Sequence, residues 1–446
     1  MATTTQLARW WLAFEPCNIE LNKWNVNSTQ RRNQRFAQRT GTRLVCHAKG
    51  SEAGEEAGGQ KKKVLVMGGT GRVGASTLRA LAKGGDLHLI VGGRNREKGE
   101  ALARELGGSV EFSAFNLEDA SAVRAAIDGV DLVVHAAGPF QRRVECAVLE
   151  AAIDTKTAYI DVCDDQDYSM RAKAYHDRAV AAGIPAITTG GIYPGISNIM
   201  AAELVRLNGK AKRIRYSYYT AGSGGAGPTI LATSFLLLGE EAIVYVDGKM
   251  QKMKAYSARR DVDFGRGIGK KPVYLLNLPE VRSTHEVLKV PSVSARFGTY
   301  PQIWNIAMGL VASLVPKDIL QDQQKVQGLV QLSDIAVRAV DGFAGEKVSM
   351  RVDYEGENGK KAIGIFSHKM LSVSVGMSVA AFVRALLEGA TQPGVWFPEE
   401  EGGIAESARP KLLERAAEGT LNFVMNKSPW MTDKDPKEIG FGLYWE

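Results

Sequence analysis

The 446-residue sequence predicts the α/β class, with a doubly wound parallel sheet and a second α+β lobe carrying a mixed sheet. Three observations predict it. A short apolar run, Lys63 to Met67, enters a glycine turn that opens a helical pattern. Strand and helix patterns then alternate with short loops, as in parallel sheets of the Rossmann type. Further on, strand patterns cluster around Asp247-Gly248, a strong hairpin signal.

In chain order, the periodicity predicts helices at Val73–Lys83, Arg96–Leu106 and Ser121–Ile127, between strands at Leu87–Val91, Val110–Phe115 and Val130–Ala136. A helix at Gln141–Ile153, a strand at Ala158–Val162, a helix at Asp167–Ala182 and a strand at Pro185–Thr188 extend the sheet. In the second lobe, strands are expected at Lys212–Thr220, Ile243–Val246, Val273–Leu276, Val293–Phe297, Val348–Tyr354 and Ala362–Ser367. Pro228 starts a helix through Leu238, since proline at the first turn removes an N–H that has no partner there.

Gly69, Gly71 and Gly74 satisfy G-x-G-x-x-G, and Gly68, Gly71 and Gly74 satisfy G-x-x-G-x-x-G, after a strand and before a helix. Such a turn brings backbone N–H groups against the pyrophosphate of a dinucleotide at a helix N-terminus. The second strand ends Gly92-Gly93-Arg94-Asn95-Arg96, without the carboxylate that holds an NAD ribose about 20 residues past the glycines. Guanidinium forks match phosphate oxygens, so NADP(H) is the expected cofactor. Expected cofactor contacts are Gly68, Gly69, Thr70, Gly71, Arg72, Val73, Gly74, Arg94, Asn95 and Arg96, then Asn116 and Leu117 after the third strand, and Ala137, Gly138 and Pro139 after the fourth.

The first 50 residues carry eight Lys or Arg against two acids, a net +6 of the chain's +7. They are rich in hydroxyl and amide side chains, and Val45-Cys46-His47-Ala48 resembles a stromal processing site. This composition predicts a transit peptide over 1–50 addressed to the chloroplast stroma, with the mitochondrion as alternative. The rest is nearly neutral, which removes the electrostatic footprint of a nucleic-acid binder. Residues 51–60 read as a flexible linker, 61–210 as the dinucleotide domain, 211–368 as a substrate and dimerisation lobe, and 369–446 as C-terminal helices returning to the first domain. No apolar run reaches the ~18 residues of a membrane span. Ile303–Val315 reads as a core helix or a lid over an apolar pocket, and peripheral membrane contact and a homodimer are both compatible with the sequence. Six scattered histidines, none at ligand spacing from another His or Cys, support no metal site.

Together, Val64–Gly74, G-G-R-N at Gly92–Asn95, H-A-A-G-P-F at His135–Phe140, Y-I-D-V at Tyr159–Val162 and Y-P-G-I-S-N at Tyr193–Asn198 resemble the saccharopine dehydrogenase family. G-M-S-V-A-A-F-V-R from Gly376, running to W-F-P-E-E at Glu400, is similar to that family's closing helix and return. The resemblance covers about residues 61–400. It implies a split cofactor domain with an inserted substrate lobe, NADP(H), and hydride transfer to or from a small metabolite at a C–N or related double bond. It does not name a substrate, and saccharopine is disfavoured because no reductase half is attached.

Two other readings stay open. One is a chloroplast protein that binds NADP(H) as a structural or sensing ligand. The other is an atypical short-chain, isoflavone-reductase-like enzyme, although Tyr245 and Lys249, the only Y-x-x-x-K pair, flank the Asp-Gly turn instead of sharing a helix face. Hydride transfer needs a proton donor, and the acid-bearing strand ends supply the candidates. Tyr193 is the first choice, followed by Asp164 and Cys163, with Asp161 and Asp165 nearby. Gly191, Gly195 and Ser197 are expected to bind a substrate carboxylate or cofactor through backbone amides, and His135 to pack beside the cofactor.

Overall fold

The computed structural model describes residues 61–141, 143–222, 228–322, 324–331 and 345–432, without the side chains of 228–231. The expected transit peptide and linker, residues 1–60, lie outside the described residues, as do 433–446.

The first lobe runs β1 (Lys62–Met67), α1 (Arg72–Ala82), β2 (Leu87–Gly93), α2 (Arg96–Leu106), β3 (Val110–Ala114), α3 (Ala120–Ile127), β4 (Leu132–His135), α4 (Ala147–Asp154), β5 (Ala158–Asp161), α5 (Gln166–Lys173), α6 (His176–Ala182) and β6 (Pro185–Ile187). These strands, with β15 (Gly394–Trp396), form one parallel sheet in the order β15-β6-β5-β4-β1-β2-β3. Helices cover both faces, so the central strands are apolar throughout: Val64 to Met67 and Leu132 to Val134 are fully buried.

The chain order reverses between β1 and β4. Their register pairs Met67 with His135, so the loops that follow both strands open side by side at the carboxyl edge of the sheet. That crevice is where parallel α/β sheets bind ligands.

The second lobe begins after α7 (Ile196–Asn208). It contains β7 (Ala211–Ala221), α8 (Pro228–Leu238), β8 (Glu241–Val246), β9 (Lys249–Lys254), β10 (Arg260–Asp263), β11 (Lys270–Leu275), α9 (Pro279–Val287), β12 (Ser292–Tyr300), α10 (Gln302–Leu314), α11 (Lys317–Leu320), a helix α12 at 324–331, β13 (Lys347–Gly356) and β14 (Lys361–His368). The sheet is mixed: β7 pairs parallel with β12 and antiparallel with β13. Asp247 and Gly248 both have positive φ, 47° and 79°, which is the two-residue hairpin geometry their sequence predicts between β8 and β9.

The chain then recrosses both lobes. Helix α13 (Leu371–Leu387) packs along α1 and β15 joins the first sheet, as the expected return requires. After α14 (Arg409–Ala416), β16 (Asn422–Lys427) pairs with β14, so this segment completes the second sheet as well.

The elements depart from the sequence expectation in three ways. The helix expected from Gln141 starts at Ala147; before it, Phe140 and Arg143 line the cleft. Asp167–Ala182 is two helices, α5 and α6, meeting at Ala174 and Tyr175. Strands β9, β10, β15 and β16 and helices α9, α11 and α12 carry no expectation from the sequence, β15 and β16 lying in a segment read as helices.

Candidate active site

A cleft of about 700 Å³ opens at the β1–β4 switch point and runs beneath the second lobe. The glycine turn forms its floor. Gly68 has φ +73°, a left-handed conformation, and a Cβ there would lie 2.9 Å from the Ala136 carbonyl oxygen. A Cβ on Gly74 would overlap the Gly68 carbonyl, so its absence lets α1 seat on the strand. Helix α1 has Gly71 at its N-cap and no acid in its first turn, leaving the positive end of its dipole facing the cleft.

Most of the expected cofactor contacts line this cleft: Gly68, Thr70, Gly71, Arg72, Val73, Arg94, Asn116, Leu117, Ala137, Gly138 and Pro139. The others do not. Gly69 donates its N–H to the Gly92 carbonyl (2.9 Å) and shapes the turn from behind, and Gly74 acts through packing. The Asn95 side chain accepts from Lys98 N at 2.9 Å as the cap of α2. Arg96 pairs with Glu100 at 3.0 Å and lies over the Phe112 ring, so its guanidinium is engaged outside the cleft. Arg94 is thus the guanidinium at the end of β2 that faces the cleft; it is exposed and has no ion pair among the described residues.

Of the expected proton donors, Tyr193 and Asp164 both line the cleft. Asp164 follows β5, and its carboxylate accepts from Gln141 Nε2 at 2.7 Å. Burial pushes its pKa up to about 6, with neighbouring Asp165 adding to the rise against the Gln141 bond. The Tyr193 ring stacks on Tyr218 with centroids 4.6 Å apart, and its hydroxyl lies 3.3 Å from Thr220 Oγ1. Burial drives its phenol far above the ordinary tyrosine value, and the charges of Glu280 and Asp164 add to that.

Cys163 is withdrawn from the site. It is fully buried, its Sγ donates to the Asp165 carbonyl at 3.3 Å and accepts from Asp165 N, and burial holds the thiol protonated. Asp161 is also fully buried and ties strands together, accepting from Cys163 N, Thr189 N, Tyr159 Oη and Thr188 Oγ1. Asp165 caps α5 through Tyr168 N. His135 is buried against Tyr159 and Phe140, and desolvation lowers its pKa to about 3, so it stays neutral.

The expected substrate amides divide in the same way. Gly191 lines the cleft, but the Gly195 N–H is taken by Asn198 Oδ1 at 3.1 Å and the Ser197 hydroxyl donates to Glu280 Oε1 at 3.2 Å. Ser197 therefore belongs to a buried network. Tyr218 Oη donates to Glu280 at 2.6 Å, while Asn198 Nδ2 donates to Glu399 at 2.7 Å and to Ser283 at 3.0 Å. Burial raises both carboxyls, Glu280 to about 7. This network supports Tyr218, on which the Tyr193 ring rests.

Sequence reasoning missed Arg143, Phe140, Thr220, Thr233 and the apolar wall supplied by α8, β12 and the Leu276–Leu278 loop; α10, expected as a core helix or a lid over an apolar pocket, lines the cleft through Trp304, Ala307, Met308 and Val311. Arg143 Nε donates to the Pro139 carbonyl at 3.2 Å and its guanidinium reaches Glu118 at 3.4 Å. The Arg-Arg run at 142–143 inside a segment that reads as helix offered no signal that it faced a ligand.

A parallel sheet with a glycine loop at its switch point, roofed by a second mixed-sheet lobe, defines a two-lobed nucleotide-binding protein. Residues 64–187 match the family model of the saccharopine dehydrogenase NADP binding domain. The chain is 24% identical over 217 residues to carboxynorspermidine synthase from Vibrio cholerae, a match covering 45% of this chain and about half, 51%, of that protein. The apo saccharopine dehydrogenase (L-Glu forming) of Saccharomyces cerevisiae shares the fold, with TM-score 0.58 and 16% identity over 81% of this chain and 99% of that one. Residues 64–187 are thus similar to the NADP binding domain of saccharopine dehydrogenase, and the chain binds NADP(H).

Proposed function

We propose that the protein is an NADP(H)-dependent oxidoreductase in which Asp164 moves the proton and Tyr193 positions the reacting group. The observation that carries the reading is the convergence, on one cleft, of the glycine floor, the open Arg94 guanidinium and a carboxyl held near pKa 6. The residues fit the cofactor. A Cβ at Gly68 or Gly74 would meet backbone in the cradle, and Arg94, exposed on the cleft, has no ion pair among the described residues. Bound NADPH supplies a hydride, and the chain must supply the rest. The α1 N-terminus neutralises the pyrophosphate, Arg94 selects the phosphorylated ribose, and Asn116 and Leu117 border the adenine end.

Asp164 suits proton transfer better than Tyr193. A carboxyl near pKa 6 exchanges a proton close to neutral pH, whereas a phenol raised above its ordinary value is a poor acid. Tyr193, fixed by the Tyr218 stack and by Thr220, can still offer its hydroxyl as a hydrogen-bond donor to a carbonyl or imine. The similarity to carboxynorspermidine synthase supports a C–N or related double bond as the reacting group. We place the protein in the chloroplast stroma on the composition of residues 1–50. The expected peripheral membrane contact would fall on the outer side of α10, where Ile303, Ile306, Leu310 and Leu314 are exposed. Following NADPH oxidation at 340 nm with a panel of imines, ketones and enones tests the reading. Turnover with one class, lost in Asp164→Asn, supports it; tight NADPH binding with no turnover across the panel would favour a sensing role instead.

A further inference from the structure

The cleft is chemically lopsided. Every charged side chain that lines it, Arg72, Arg94, Glu118, Arg143 and Asp164, comes from the first lobe. The second lobe contributes no charged side chain among the described residues, and its polar groups are the hydroxyls of Thr220, Thr233, Ser234 and Thr299. The remainder of that wall is apolar, with Phe235, Leu278, Phe297, Trp304, Met308 and Val311 as its larger members. A substrate carboxylate or ammonium seated there would give up its hydration without a compensating partner, which is costly.

Helix α10 sharpens the point. Its sequence, QIWNIAMGLVASL, holds no acid or base. One side, with Trp304, Met308 and Val311, faces the cleft, while the other exposes Ile303, Ile306, Leu310 and Leu314. The helix is held by a polar pin at its start: Asn305 Oδ1 accepts from Tyr256 Oη at 2.6 Å and from Thr299 N at 2.9 Å, and Asn305 Nδ2 returns a bond to the Thr299 carbonyl at 2.8 Å. These bonds tie the start of α10 to β12 and to Tyr256.

We infer that the substrate is an uncharged lipophilic compound, with a ketone, aldehyde or imine group beside Asp164 and Tyr193 and a hydrocarbon tail against α10. This deepens the oxidoreductase reading and rests on it. For a ketone, the C=O π bond breaks, a C–H bond forms with hydride from NADPH, and an O–H bond forms with the proton of the Asp164 carboxyl. NADPH is oxidised to NADP+, the ketone is reduced to a secondary alcohol, and the carboxylate regains its proton from solvent. Arg143 stands on the first-lobe side of the cleft, its Nε on the Pro139 carbonyl and Nη2 3.4 Å from Glu118, away from the apolar wall that takes the hydrocarbon tail.

The test uses the full chain, titrated first with NADPH and then, as the NADP+ complex, with 2-butanone, 2-hexanone, 2-decanone and 2-oxobutanoate. Binding is read as tryptophan quenching, assigned to the cleft by its loss in Trp304→Phe. The expected result is affinity that rises roughly threefold or more per added methylene, with 2-oxobutanoate weakest. Met308→Arg, at a half-buried position on the cleft side of α10, should abolish 2-decanone binding and keep NADPH binding. Because the ketone series does not use Met308→Arg, it stands even where that variant fails to fold. Tighter binding of 2-oxobutanoate than of 2-decanone, or affinity flat with chain length while NADPH binds, would overturn the inference. Absence of NADPH binding would overturn the parent reading and this one with it.

Discussion

Gln141 Nε2 donates to Asp164 Oδ1 at 2.7 Å, joining the loop after β4 to the loop after β5 across the mouth of the cleft. The bond fixes one carboxylate oxygen and leaves the other available to a ligand. It also opposes the desolvation that raises the Asp164 pKa to about 6, so the carboxyl can change protonation state close to neutrality.

Replacing Asp164 by Asn should therefore lower kcat by about 10²- to 10⁴-fold while leaving NADPH binding within about twofold. In the reduction direction the wild-type rate should fall as pH rises through about 6, where the proton donor ionises. That limb should vanish in Asp164→Asn. A pH profile of kcat/KM checks both.

Tyr193→Phe should be milder, about tenfold or less in kcat, because the stack on Tyr218 survives and only the hydroxyl beside Thr220 is lost. A larger loss than that of Asp164→Asn, measured in the same assay, would exchange the two roles.

Glu280 and Asp164 have pKa values raised above those of the unfolded chain, to about 7 and about 6. The folded protein then holds more protons than the unfolded one between about pH 4 and 7. Their contribution to stability is full below the unfolded value and is lost as pH rises through 6 to 7. The melting temperature should fall over that window, and Glu280→Gln, which keeps the acceptor for Tyr218 and Ser197 without the charge, should flatten the fall. Glu280→Ala leaves those hydroxyls unsatisfied and should cost about 1–3 kcal/mol. Calorimetry across pH checks both variants.

Gly74→Ala places a methyl group against the Gly68 carbonyl. Since backbone must shift to admit it, stability should drop by about 1–3 kcal/mol and NADPH should bind about tenfold or more weakly. Paired thermal melts and NADPH titrations measure the two effects.

The first lobe was legible because its strands are uninterrupted apolar runs and its turns are glycine-rich, so period and punctuation agree. The sequence also placed Asp164, Tyr193, Arg94 and the Asn116-Leu117 pair on the cleft through their position after strand ends. It failed where tertiary pairing decides. Strand β9, KMQKMK, is exposed along its whole length and shows no buried face; the hairpin turn at Asp247-Gly248 holds it in place. Strand β15 is three residues long and exists because β6 offers an edge. Ser197 and Gly195 sit at a helix start that looks ready for an anion, yet Asn198 and Glu280 already satisfy them. Asn198 is a local partner, but Glu280 lies 83 residues beyond Ser197, where short-range sequence cannot reveal it.

The account turns on Arg94 at the open end of β2, where Arg96 is held by Glu100. The most direct test is a fluorescence titration of NADPH and NADH into the wild type, Arg94→Ala and Arg96→Ala. The account predicts tighter NADPH binding in the wild type, a loss of about 10- to 100-fold in NADPH affinity for Arg94→Ala with NADH little changed, and wild-type behaviour for Arg96→Ala. Equal affinities for the two nucleotides in the wild type, or a preference that survives Arg94→Ala, would contradict it.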